Sequence, residues 1–187
     1  MSMQTWKETI TASSTDGPTL TAAARASCIP TANRIVLPNS LFYVGRVLRI
    51  RASGRISCAV TTPGTARFDI CLGRAGTTIV FDTLALNLNI VAKTTVPWLL
   101  DVALTCRVVG TGTTTTFFPM GFFQSEAVVG APLPTVGGNG SLLVPVGTPA
   151  VGAGMDNTAA SALDMFFTQT VATGSMTVHN YHVSLEN

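Results

Sequence analysis

Residues 46–60 read RVLRIRASGRISCAV, and their hydropathy alternates residue by residue. Leu48, Ile50, Ala52, Gly54, Ile56, Cys58 and Val60 share one parity. Val47, Arg49, Arg51, Ser53, Arg55, Ser57 and Ala59 share the other. Side chains of a strand point alternately to opposite faces, so this period of two predicts a strand that is apolar on one side and carries Arg49, Arg51 and Arg55 on the other. Arg46 falls on the apolar parity, at the strand's entry. Ser53-Gly54 predicts a bend or a bulge within it.

The alternation recurs along the chain. Ala66, Phe68, Ile70 and Leu72 oppose Arg67 and Asp69. Trp98, Leu100, Val102, Leu104, Cys106 and Val108 oppose Leu99, Asp101, Ala103, Thr105 and Arg107. TTIVFDTLAL, TTTTFFPMGFFQSEAVV, SALDMFFTQTVA and SMTVHNYHVSLE read as further strands, separated by TTPGT, GRAGT, VVGTGT and ATGS. Many strands punctuated by Gly and Pro predict an all-β domain. The uneven connections favour a jelly-roll-like β-sandwich of about eight antiparallel strands, a single domain over 1–187. Residues 1–45 are expected to supply an N-terminal arm and the first strands, with one short helix in TLTAAARASC (19–28). A long Gly/Pro-rich, apolar loop spans 129–161. It is expected to be an arm that docks on a neighbour, with LLVP (142–145) adding a strand.

Charge is scarce. Charged residues make up 11% of the chain, against roughly 25% in ordinary soluble domains, and 28 of the 187 residues are threonine. So little charge suits a protein packed against copies of itself or against partners. Nine of the eleven basic residues are Arg, the residue of bidentate carboxylate contacts. All eleven lie in the first 107 residues, and the remainder carries only acids and two histidines. That asymmetry would let the basic part of one copy meet the acidic part of another. A net charge of +2, few lysines and no aromatics interleaved with basic residues argue against nucleic acid as the partner.

The chain offers little chemistry. MSMQTWKETITASS has no apolar segment of a secretory signal, and no run approaches the ~20 apolar residues of a membrane helix. Cys28, Cys58, Cys71 and Cys106 are too scattered for a zinc site and are expected to be buried thiols. His179 and His182 would face opposite ways on a regular strand and could not share a metal. Asp156-Asn157 falls short of a calcium site. Asn139-Gly-Ser is a formal glycosylation acceptor, without weight in the absence of a secretory signal. No nucleophile, zinc or phosphate-loop motif occurs, so no catalytic residue, metal or cofactor is assigned. Phe117, Phe118, Phe122 and Phe123, in FFPMGFF, are expected in the core or at a subunit interface.

Residues 91–129 and 149–187 resemble a group of small virion structural proteins of tailed bacteriophages. The features are a K-T-x-V-P-W entry to a strand, an L-T-C-R strand, a G-F-F-x-S-E-A-V stretch and a closing strand ending in S-L-E. The resemblance implies a place in the virion, on the capsid surface or in a tail component. The leading expectation is therefore a non-enzymatic capsid decoration or minor capsid protein. It would act as a homo-oligomer, preferably a trimer, contacting the major capsid protein through Arg49, Arg51, Arg55 and the phenylalanine cluster. One alternative is a tail, baseplate or head-fibre protein that binds host glycans through the long loop. The other is a carbohydrate-active enzyme using acids such as Asp101, Glu126 and Asp164.

Overall fold

The computed structural model describes residues 6–59, 63–129, 140–152 and 154–186. The chain is all-β. Its strands are β1 (Lys7–Ala12), β2 (Arg25–Ser27), β3 (Ile35–Leu37), β4 (Val47–Cys58), β5 (Thr65–Leu72), β6 (Thr78–Asp82), β7 (Leu86–Asn87), β8 (Lys93–Val108), β9 (Thr116–Ser125), β10 (Gly140–Val144), β11 (Ser161–Gln169) and β12 (Ser175–Glu186). One antiparallel sheet runs β1-β12-β4-β8-β9-β10. The other runs β2-β11-β5-β6, with β3 also paired to β11 and β7 to β5. Twelve strands are described, against the expected eight or so. Nine have five or more residues, whereas β2, β3 and β7 have two or three, too few for an alternating pattern to stand out.

The apolar parities become the space between the sheets. Leu48, Ile50, Ala52 and Ile56 of β4 are buried, as are Trp98, Leu100, Val102, Leu104 and Cys106 of β8. Phe68 of β5 sits at the centre. Its ring centroid lies 4.9 Å from Trp98, 5.4 Å from Phe123 and 5.1 Å from Phe167, so one aromatic cluster joins both sheets. Phe117 closes another part of the core, edge-on to Phe42 at 4.8 Å. All four cysteines are buried and unpaired. Burial raises the pKa of each thiol, and Cys71, beside Asp69, is pushed up to about 12.

Several expectations are corrected. Residues 19–28 form no helix. Leu20 bridges Met176, and Arg25–Ser27 pair with β11 as β2. Backbone partners on a neighbouring strand outweigh the modest helix preference of three alanines. TTIVFDTLAL is two strands, because Leu84 is left-handed (φ 63°) and its N–H is held by Asp82 Oδ1 at 2.8 Å. The long loop, where described, folds onto its own chain. Gly140–Val144 pairs with β9, Val146 N–H donates to Thr83 O, and Gly152 N–H donates to Phe117 O. Of its described apolar residues, Val144 is buried, whereas Leu143, Val146 and Val151 remain exposed, and residues 130–139 lie outside the described residues. Asn139 lies outside the described residues. Asn157 is buried and exchanges hydrogen bonds with the Phe42 backbone, while Asp156 Oδ1 accepts from the Thr158 N–H and hydroxyl, so the two side chains are engaged separately.

A candidate interaction face

The outer surface of the six-stranded sheet gathers the residues singled out above. Directly opposed residues of neighbouring strands share a face, so the register defines rows across it. One row runs His182 (β12), Arg51 (β4), Asp101 (β8), Phe122 (β9) and Leu143 (β10). The next runs Ser184, Arg49, Ala103 and Met120. The face is thus polar over β12, β4 and β8 and becomes apolar toward β9 and β10.

On the polar side, Arg49 and Arg51 face an acid of their own sheet. Arg49 Nε and Nη2 donate to Asp101 Oδ1 and Oδ2 at 2.8 and 2.9 Å, and Arg51 Nε lies 3.0 Å from Oδ2. Glu186 adds a longer contact to Arg49 and pairs with Lys7. The hydrogen bonds that Arg49 donates to Asp101 raise the Arg49 pKa further, so this fork stays charged. Among the described residues, seven of the eleven basic side chains lie within ion-pair distance of an acid in the same chain. Lys7, Arg34 and Lys93 pair with acids of the later chain, whereas Arg25, Arg49, Arg51 and Arg67 pair with acids inside the first 107 residues. Antiparallel pairing of β1 with β12 and of β3 with β11 brings the basic early chain onto the acidic end. The other sheet repeats the device. Arg25 grips the buried Asp69 and lies 3.7 Å above the Phe166 ring, and Arg67 pairs with Asp82.

On the apolar side, the four phenylalanines divide by parity. Phe117 and Phe123 are fully buried in the core, which removes them from any surface role. Phe118 and Phe122 are half-buried on the outer face, with Arg107 over the Phe118 ring at 5.1 Å. Around them lie Leu99, exposed Met120 and Leu143, which is 66% exposed. Met120 was legible from the spacing of 118, 120 and 122. Leu143 was not, because its place depends on the pairing of β10.

Arg55 differs from its neighbours. It is exposed and makes no ion pair among the described residues. Two bulges flank it. On β12 the register slips between Val178 and Asn180; on β8 it slips opposite Ser57, where Thr95 is left-handed with φ 50°. The β12 bulge corrects the reading of the histidines. Val178 and Tyr181, three apart, both point into the core, and His179 and His182 both emerge on the outer side. They have separate partners: His179 Nδ1 is 2.9 Å from Asp16 Oδ1, and His182 Nε2 is 3.2 Å from Thr9 Oγ1. The bulge sits at the predicted Ser53-Gly54, but on the partner strand. Gly54 admits it, since a Cβ there would overlap the Thr177 carbonyl.

The candidate acids do not converge. Asp101 and Asp164 lie on the outer faces of different sheets, and Glu126 contacts Lys93. No cluster of three or more His, Cys, Asp or Glu residues suited to a metal occurs among the described residues. Comparison with protein-family models, curated proteins and solved structures found no match.

Proposed function

We propose that this chain is a structural protein of a tailed-bacteriophage particle, a capsid decoration or minor capsid protein that works by packing its six-stranded sheet onto a partner surface. The observation that carries this reading is the graded outer face. Arg49 and Arg51 are paired with Asp101 within the chain, while Phe118, Met120, Phe122 and Leu143 leave an apolar band beside them. A band of this kind, rimmed by polar residues, is the usual signature of a protein-binding surface. The virion assignment itself rests on the sequence resemblance, whose segments supply β8, β9, β11 and β12, strands that span both sheets. A jelly-roll-like winding belongs to the same reading. It is supported by β4 pairing with β12 while their chain neighbours β5 and β11 pair in the opposite sheet.

In this proposal the protein associates as a trimer and contacts the major capsid protein. Met120→Asp with Leu143→Asp should leave the fold intact and abolish self-association or particle binding, read by light scattering and by sedimentation with purified particles. Unchanged association in the double variant would refute the use of this face. Absence of the protein from purified virions by mass spectrometry would refute the virion role. Immunogold labelling on tails rather than heads would move it to the tail.

A further inference from the structure

A second surface on the same sheet has a different chemistry. Between the two bulges an open groove of about 680 Å³ is lined by Arg55, Ser53, Thr95, Pro97, His179 and Asn180. It adjoins a smaller one of about 320 Å³ that reaches Asp16, Thr19 and Thr177. Arg55, Thr95 and His179 border both, so Arg55 is shared by two adjoining lobes. We propose that this groove binds a saccharide bearing a carboxylate, with Arg55 holding the acid group and the surrounding hydroxyl and amide groups holding the sugar.

Three features point to that class. First, Arg55 is an uncommitted cation among the described residues, in a sheet where Arg49 and Arg51 are satisfied by Asp101. A guanidinium is built to receive a carboxylate in a two-pronged contact. Second, half of the lining residues are serine, threonine or asparagine, with Pro97 and Trp98 adding an apolar side to the larger lobe. Beyond that side the lining lacks the apolar pockets by which an extended peptide's side chains would be read. The volume lies in the range of small-molecule sites. Third, Asp16, paired with His179, lines the smaller lobe together with Arg55, so that lobe holds an acid as well as a cation. One cation beside one anion tolerates a monoanion and disfavours a phosphate dianion. The local backbone is also unusual. Thr95, a β-branched residue at positive φ, is kept in that conformation with its N–H donated to Ser57 Oγ at 2.9 Å. Backbone outliers of this kind, and bulges, concentrate at ligand sites.

The test is calorimetric titration of the full chain with a glucuronic acid-terminated oligosaccharide, its methyl ester, and inorganic phosphate, followed by NMR of the His179 imidazole. The acidic sugar is expected to bind and to shift the His179 signals. The methyl ester and the Arg55→Gln variant should each weaken binding about tenfold or more, the value of a charge-assisted fork. Equal binding of the methyl ester, equal binding by Arg55→Gln, or phosphate binding as tightly as the sugar would each overturn the proposal. So would no binding of the acidic sugar at millimolar concentration. If Arg55→Gln failed to fold, the ester comparison would still decide.

Discussion

Phe122 and Phe123 are adjacent in sequence, yet their truncations should have very different consequences. Phe123 is fully buried, with its ring centroid 5.4 Å from Phe68 and 6.3 Å from Trp98, at the junction of the two sheets. Phe123→Ala removes a ring from a packed core and leaves a cavity there, a change that costs about 3–5 kcal/mol. For a chain of this length each kcal/mol lowers Tm by about 2–4 °C, so a fall of about 6–20 °C is expected. Phe122 lies on the outer face between Asp101 and Leu143. Phe122→Ala gives up only part of a half-solvated ring and should cost about 1 kcal/mol. Its effect should appear instead in association, because it shrinks the apolar band. Thermal melts followed by circular dichroism, with light scattering on the same samples, measure both. Equal melting temperatures for the two variants would refute the assignment of faces, and with it the register of β9.

Asp101→Asn keeps the shape of the side chain but leaves Arg49 and Arg51 side by side without their acid. A loss of about 1–2 kcal/mol is expected, shrinking at about 1 M salt as screening relieves the repulsion. A loss that salt does not change would refute the electrostatic account. Gly54→Ala should cost about 1–3 kcal/mol, because the added methyl meets backbone and cannot be accommodated by a rotamer change. NMR shifts at His179 should move with it; an undisturbed His179 would show that the bulge does not depend on Gly54. Burial, the dominant influence on Asp164, raises its carboxyl pKa against the opposing hydrogen bonds from Ser27 and Met165. A carboxyl raised by folding contributes stability below its unfolded pKa and loses that contribution as pH rises through its folded value. Asp164→Asn should therefore gain stability relative to the parent as pH rises from about 3 to 7. The opposite trend in denaturant midpoints would show that the hydrogen bonds outweigh burial.

The alternation in 47–58, 66–72 and 98–106 was sufficient to identify strands and most of the side chains inside, but Val108, on the apolar parity past a register shift, is exposed, and Asp69 and Cys71, on the opposite parity of β5, are buried. A strand's two faces are set by covalent geometry, and burial rewards only one of them. Arg49, Arg51 and Arg55 were legible as an outward row for the same reason. What they meet was not legible. Asp101 is about fifty residues away in the chain and becomes Arg51's neighbour only through the pairing of β4 with β8. The same limit explains the errors. Residues 19–28 follow the strand that receives them rather than their own helix preference. The two histidines share a side because a one-residue bulge, induced where Gly54 lets Thr177 approach, reverses the parity that regular spacing implies. Phe117, Phe118, Phe122 and Phe123 formed one cluster in sequence but two populations in space. Local pattern thus determined strand character and facing. Register, bulges and the order of strands decided which charges were satisfied, which phenylalanines stayed at the surface and why Arg55 alone of its row was left facing a groove. Those choices are made by backbone hydrogen bonds between distant segments, and a local pattern carries no record of its partner.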